Sequence, residues 1–166
     1  RGLGDVYKRQ TCNGVDIERF NRDNLDCSRI ERLKADLGLN RYSFIIGFTG
    51  RMVRDKGIIE LVNAFKCLQV NHQNIALLLV GMLEERDALP ENIVNEIKSN
   101  SSIIYTGYVE NATIEYYYAL MDIFILPSYR EGFPTSVLEA SAMKLPIITT
   151  RVTGCIAVSY THLRAH

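Results

Sequence analysis

The chain has 166 residues, is 47% hydrophobic and carries 19 basic and 19 acidic side chains, which fits one globular domain with its own core and excludes a disordered chain. No apolar run nears the ~18 residues of a membrane span, residues 1–10 lack the apolar stretch of a secretory leader, and zero net charge without a basic stripe argues against nucleic acid as a partner. Cys12, Cys27, Cys67 and Cys155 are scattered, without CxxC or a histidine at ligand spacing, as expected for reduced thiols in a cytosolic protein.

At the N-terminus, RGLGDVYKRQ (1–10) has a counterpart in VSYTHLRAH (158–166). Both read as translations of the two strands of a transposase sequencing adapter, in opposite orientations; the plainer alternative is a pair of polar termini. On the adapter expectation the protein proper is about 11–157, a domain cut at both ends. Four basic residues and one acidic residue then drop out, leaving 15 and 18 and a net charge of −3, with His72 the remaining histidine. NGVD (13–16) reads as a turn at the domain entry, and SRIERLKADLGL (28–39) as a helix closed by Gly38.

The next segments alternate. SFIIGFTG (43–50) is a short apolar run ending in glycine, a buried strand. KGIIELVNAFKCLQV (56–70) places Ile58, Leu61, Val62, Phe65 and Leu68 on one helical face. NIALLLVG (74–81) is a second strand. Residues 89–100 form a helix with Pro90 near its start and Ile93, Val94 and Ile97 on one face. Strand 102–109 running into a glycine turn, helix 111–121 with Asn111 as N-cap, strand 122–128, helix 134–144 and strand 145–150 complete the series. Continuously apolar strands alternating with helices predict an α/β doubly wound parallel sheet covered on both faces, with right-handed crossovers. The Tyr116–Tyr118 run and the methionines are read as packing, and His72 as a solvated residue at a helix end.

Open parallel sheets bind ligands where strands end and loops lead into helices, which directs attention to 49–57, 80–87, 107–111, 127–134 and 149–154. The first loop offers Arg51 and Lys56, a fork and a point charge that suit a bound phosphate, next to a helix start at Gly57. The alternative is a solvated surface loop. REGFPTSVLEA (130–140) raises a sharper question, because Glu131 and Glu139 flank a helix start where anions bind. The helix near Pro134, with Thr135 and Ser136, favours phosphate, so carboxylates beside it suit hydroxyl donors instead: a ribose diol at Glu139, and the group beyond the phosphates at Glu131. The bland alternative is an acidic helix start and one exposed helical glutamate. No GxGxxG follows a strand and no GxxxxGK[ST] is present, so neither a dinucleotide cofactor nor a P-loop is expected.

Taken together, NGVD, GFTGRMVRDKG, LLLVG, YTGYV and DIFILPSYREGFPTSVLEASAMKLPIITTRVTG resemble the nucleotide-sugar half of family 4 glycosyltransferases, across essentially all of 11–155. The most specific element is the E-x7-E pair, Glu131 and Glu139, combined with Arg51 and Lys56. The resemblance implies the Rossmann-like C-terminal half of a GT-B fold, truncated. It implies that Arg51 and Lys56 hold the donor diphosphate and stabilise the leaving group in place of a metal ion, so that no cofactor is needed. It also implies that Glu131 lies near the transferred sugar and Glu139 at the ribose. Gly50, Gly132, Phe133, Pro134, Thr135, Ser136, Val137 and Leu138 would complete the donor site, with backbone amides around Gly132 and Phe133 on the sugar and those of Ser136–Leu138 on phosphate.

A retaining hexosyltransferase of bacterial cell-surface polysaccharide synthesis, with UDP as the nucleotide by family frequency, is the expected whole. The acceptor-binding N-terminal domain and the end of the second domain would be absent, and the piece alone inactive. A cytoplasmic location follows, at the inner membrane face where the acceptor is lipid-linked. Two alternatives are a sugar-nucleotide epimerase of the same fold, expected to lack the E-x7-E with Gly-Phe-Pro, and a non-catalytic α/β binding module, expected to carry an acidic rather than a basic strand-end loop.

Overall fold

The computed structural model describes residues 14–156; the two end segments read as adapter, and Asn13 of the NGVD turn, lie outside them. Five parallel strands form one sheet: β1 (Phe44–Thr49), β2 (Ile75–Val80), β3 (Ile103–Tyr105), β4 (Ile123–Leu126) and β5 (Ile147–Thr149), in the order β3-β2-β1-β4-β5. Helices α1 (Cys27–Asp36), α2 (Ile58–Asn71), α3 (Glu91–Ser99), α4 (Ile114–Ala119) and α5 (Thr135–Ala142) flank it.

The strand sequence explains the sheet. In β1 and β2 five of six positions are buried, which is why both read as unbroken apolar runs rather than alternating ones. They pair along their full length, from Phe44 opposite Ile75 to Thr49 opposite Val80. Phe48, Leu77, Leu78, Leu79, Phe65 and Phe124 are among the fully buried side chains at the centre of the core. The predicted cover on both faces fails at β5, where Ile148 is exposed. This is an edge strand, and α5 packs on β4 and β5 from one side.

Two local expectations are corrected. Asn111 does not cap the fourth helix. It opens a 3-10 turn (Asn111–Thr113), and α4 starts after Thr113 without a capping side chain. The reason is a distant contact: the Arg19 guanidinium donates to the Asn111 carbonyl and pairs with Glu115 at 2.7 Å, which shapes this end from outside the helix. Strand β3 spans only Ile103–Tyr105 before the expected glycine turn, where Gly107 lies in the left-handed region and Gly81 pairs with it in an isolated antiparallel bridge. Gly38, with φ 66°, follows α1 as expected, and Pro90 stands at the N-cap of α3.

The order of the strands reverses between β1 and β4. From β1 the chain winds outward through β2 and β3, then returns to lay β4 and β5 on the other side. Ligand crevices of open α/β sheets form at such a reversal, outside the carboxyl ends of the strands. Here β1 and β4 pair only at Ile46–Ile123 and Gly47–Phe124, and each runs on beyond that register. A gap therefore opens between the loop after β1 and the loop after β4.

Candidate functional site

Those two loops face one another across a cleft of about 360 Å³. Its walls include Gly50, Arg51 and Lys56 from the first loop, and Glu131, Phe133, Pro134, Thr135, Ser136 and Glu139 from the second loop and α5. Arg51, Lys56, Glu131 and Glu139, singled out in the sequence at two strand-end loops and a helix start, thus share a single crevice. Val137 and Leu138 do not reach it with their side chains; both are buried beneath α5.

Gly57 brings the loops together. Its φ of 69° lies in the left-handed region, and a Cβ there would collide with the Pro127 carbonyl oxygen. This close approach seats Lys56 beside the β4–α5 loop. Its Nζ contacts Glu131 Oε1 at 2.6 Å, and the same oxygen accepts a 2.6 Å hydrogen bond from the Ser128 hydroxyl. The Glu131 side chain is 9% exposed and Lys56 20%, so this is a half-desolvated pair rather than a surface one. On the far side, the Glu131 and Gly132 carbonyls lie so close to Gly154 that a Cβ there would overlap them. Cys155 is buried in the same corner, with its Sγ accepting from Thr149 Oγ1 at 3.0 Å; burial, above all, raises its thiol pKa. Among the described residues Cys27, Cys67 and Cys155 form no disulfide; Cys12 lies outside them.

Arg51 behaves differently from Lys56. Its side chain is 65% exposed and meets Glu84 of the next loop at 3.1 Å, a contact that water screens and an anion can displace. Arg54, between them in sequence, is turned away and donates to the Ala88 carbonyl at 2.7 Å.

The floor of the cleft is the start of α5. Pro134 occupies its N-cap, and no side chain caps the first turn. The Thr135 and Ser136 amides therefore keep their hydrogen-bonding capacity and the partial positive charge of the helix end, whereas the Val137 amide, expected to meet phosphate, already donates to the Pro134 carbonyl at 3.1 Å. Thr135, Ser136 and Glu139 are on the face turned to the cleft, while Val137, Leu138 and Ala140 pack into the core.

Glu139 is the second acid, and its surroundings are unlike those of the first. Its Oε2 accepts a 2.7 Å hydrogen bond from the Tyr118 hydroxyl, which also lies 2.6 Å from Thr49 Oγ1. Burial raises the Glu139 carboxyl pKa above its ordinary value; Tyr118 and the Arg19 charge oppose that shift, and Glu115 adds to it. Burial and the neighbouring Glu139 charge push the Tyr118 phenol well up. Glu139 and Thr135 also border a second cavity of about 220 Å³, lined in addition by Asp16, Arg19 and Asn111.

Tyr118, Thr49 and Ser128 escaped the sequence reading. All three are buried, and the packing read for Tyr118 accounts for its ring but not for its hydroxyl. A usable signal was present, since a buried tyrosine hydroxyl normally requires a partner.

Against known proteins, the chain matches the family described as glycosyl transferases group 1 over residues 43–162. The capsular polysaccharide biosynthesis glycosyltransferase CapM of Staphylococcus aureus is 36% identical over 144 residues, which is 87% of this chain and 36% of that protein. The chain thus spans about a third of the length of such relatives. Among solved structures, Anabaena Alr3699/HepE in complex with UDP-glucose superposes with a TM-score of 0.72 at 23% identity, over 88% of this chain and 39% of that one. The C-terminal domain of a group 1 glycosyl transferase family protein (LpcC) from Francisella tularensis does so with a TM-score of 0.67 at 20% identity, over 92% of this chain and 89% of that one. The fold is that of GT-B glycosyltransferases, and the chain belongs to the group 1 glycosyltransferase family.

Proposed function

We propose that this chain is the nucleotide-sugar-binding part of a retaining glycosyltransferase that moves a hexose from a nucleoside-diphosphate sugar to an acceptor in cell-surface polysaccharide synthesis. The observation that carries the reading is the shared cleft: Arg51 and Lys56 on one wall, Glu131 and Glu139 on the other, and the uncapped start of α5 as its floor. Family membership and the likeness to CapM support the transfer chemistry and the polysaccharide setting, and speak against an epimerase or a non-catalytic module. HepE, solved with UDP-glucose, makes UDP the first nucleotide to try.

In this reading the diphosphate rests on the Thr135 and Ser136 amides and recruits both cations. Arg51 leaves an exposed partner at little cost, whereas Lys56 bridges between Glu131 and the phosphate oxygens. As the glycosidic bond breaks, negative charge grows on the departing diphosphate, and fixed cations and amides stabilise that charge more than the ground state. Glu139 accepts from the ribose hydroxyls. The free oxygen of Glu131 faces the sugar, with the amides of Gly132 and Phe133 nearby. No metal ion takes part in this scheme. The acceptor, which the lipid-linked substrates named for some relatives suggest is held at a membrane, binds residues that precede those described here.

Calorimetric titration of the chain with UDP, GDP and ADP, with and without EDTA, tests the reading. The expected result is EDTA-insensitive binding, strongest for UDP, weakened at least tenfold by Lys56→Ala and several-fold by Arg51→Ala. Equal affinities for the wild type and both variants would remove the diphosphate assignment.

A further inference from the structure

We infer that Tyr118 is a positioning residue for Glu139: its hydroxyl fixes one carboxylate oxygen so that the other meets a ligand diol, which makes Tyr118 a determinant of ribose recognition. The inference rests on the assignment of Glu139 to the ribose made above.

Tyr118 is fully buried in α4, wedged against Phe20 at 5.9 Å between ring centroids and Phe124 at 5.7 Å. Its single hydroxyl proton has three oxygens in range: Glu139 Oε2 at 2.7 Å, Thr49 Oγ1 at 2.6 Å and the Ser136 carbonyl at 3.4 Å. The ionised carboxylate is the strongest acceptor, so the proton points there. Thr49 must then donate to the phenol oxygen, giving a directed chain from Thr49 through Tyr118 to Glu139. Thr49 is itself buried at the end of β1, so the chain is anchored in the sheet.

The consequence for Glu139 is geometric. The terminal torsion of a glutamate is broad and nearly two-fold, so an untethered carboxylate presents many orientations to a diol. With Oε2 held from below, the carboxylate plane is fixed against the cleft wall that Glu139 lines. Oε1 and the remaining lone pair of Oε2 then accept from two adjacent hydroxyls without first losing that freedom. A tyrosine serving only to fill core volume has no need of this bond, since phenylalanine packs the same ring.

The test is Tyr118→Phe, read by titration with two probes, UDP and 2′,3′-dideoxy-UDP, and by thermal unfolding. Wild type should prefer UDP by about tenfold or more, as one or two hydrogen bonds to a charged group imply. In the variant UDP should weaken about tenfold and the dideoxy probe stay within about twofold, so that the preference collapses. Thr49→Val should give the same pattern to a smaller degree, and carries the test if Tyr118→Phe does not fold. A preference that survives in the variants, or an equal loss for both probes, overturns the positioning role while leaving Glu139 at the ribose. A wild type that binds UDP without discriminating overturns both together.

Discussion

Glu131 and Glu139 stand on the two sides of one turn, and each gives one oxygen to a fully buried hydroxyl: Ser128 for Glu131, Tyr118 for Glu139. Their charges are handled in opposite ways. Glu131 has an ammonium in contact, whereas Glu139 has none among the described residues; Arg19, whose charge favours its ionised form, is committed to Glu115. The loop acid is thus balanced within the protein, and a diphosphate arriving in the cleft competes with it for Lys56. The helix acid holds a charge that burial disfavours, and that unspent acceptor capacity is what a ribose can use. Two carboxylates that look equivalent in sequence therefore differ in what binding must rearrange.

The largest effect on this contrast should come from Lys56→Ala. Removing the cation strands a carboxylate that is 9% exposed, and the loss is expected to be about 2 kcal/mol, reduced from a fully buried pair by the partial access of water. In a chain of this size that lowers the unfolding midpoint by roughly 4–8 °C. Lys56→Ala combined with Glu131→Gln should recover most of the stability but none of the nucleotide affinity. Calorimetric unfolding of the two single variants and the pair decides this; additive losses would mean that the 2.6 Å contact carries no coupling.

Glu139→Gln should act in the opposite direction on stability. Gln keeps an oxygen for the Tyr118 hydroxyl and removes the disfavoured charge, so at neutral pH the variant should unfold at a higher midpoint than the wild type. UDP binding should weaken at least several-fold, because an amide is a poorer acceptor than a carboxylate and offers one oxygen instead of two. A variant that loses both stability and affinity would show that the charge is compensated more fully than its neighbours suggest.

The same acid gives a pH dependence with a definite sign. Well below the ordinary carboxyl value of 4.5, Glu139 is protonated in the folded and the unfolded chain and contributes no difference. Above it the unfolded chain releases the proton while the folded one still holds it, so stability falls as pH rises until the folded group ionises too, and then levels off. The groups facing it are Tyr118 and Glu115 from α4 and Arg19 from the segment before α1. The advantage of Glu139→Gln over wild type should therefore be absent near pH 4 and present at pH 7. A constant difference across that range would assign it to packing instead.

How far the sequence anticipates this cleft depends on the distance between partners. The long buried strands β1 and β2 announce themselves by composition, and with α2 between them they require a parallel crossover. Arg51, Lys56, Glu131 and Glu139 are legible because each is a charged residue at a strand-to-helix loop or helix start. Asn111 misleads because the guanidinium that shapes its turn comes from Arg19, more than ninety positions earlier in the chain. Tyr118 and Ser128 stay hidden for a related reason. Nothing in YYYALM says which tyrosine hydroxyl will face a glutamate 21 residues on, and a serine after a strand is ordinarily just the beginning of a turn.

The smallest effect should come from Arg51→Ala on stability. Arg51 and Lys56 are both cations of one loop with an acid within 3.1 Å, so counting ion pairs would rank them alike. Exposure separates them. The Arg51–Glu84 contact is screened by water and holds two long side chains in place, terms that nearly cancel for surface pairs. The midpoint should therefore move by less than about 1–2 °C, within the ±0.5 kcal/mol usual for exposed positions. UDP affinity should still fall several-fold, because the guanidinium exchanges a screened, exposed partner for the anion that arrives to bind it. Stability unchanged with affinity reduced marks Arg51 as a residue kept for the ligand, and Lys56 as one shared between ligand and fold. A destabilisation matching that of Lys56→Ala would dissolve the distinction.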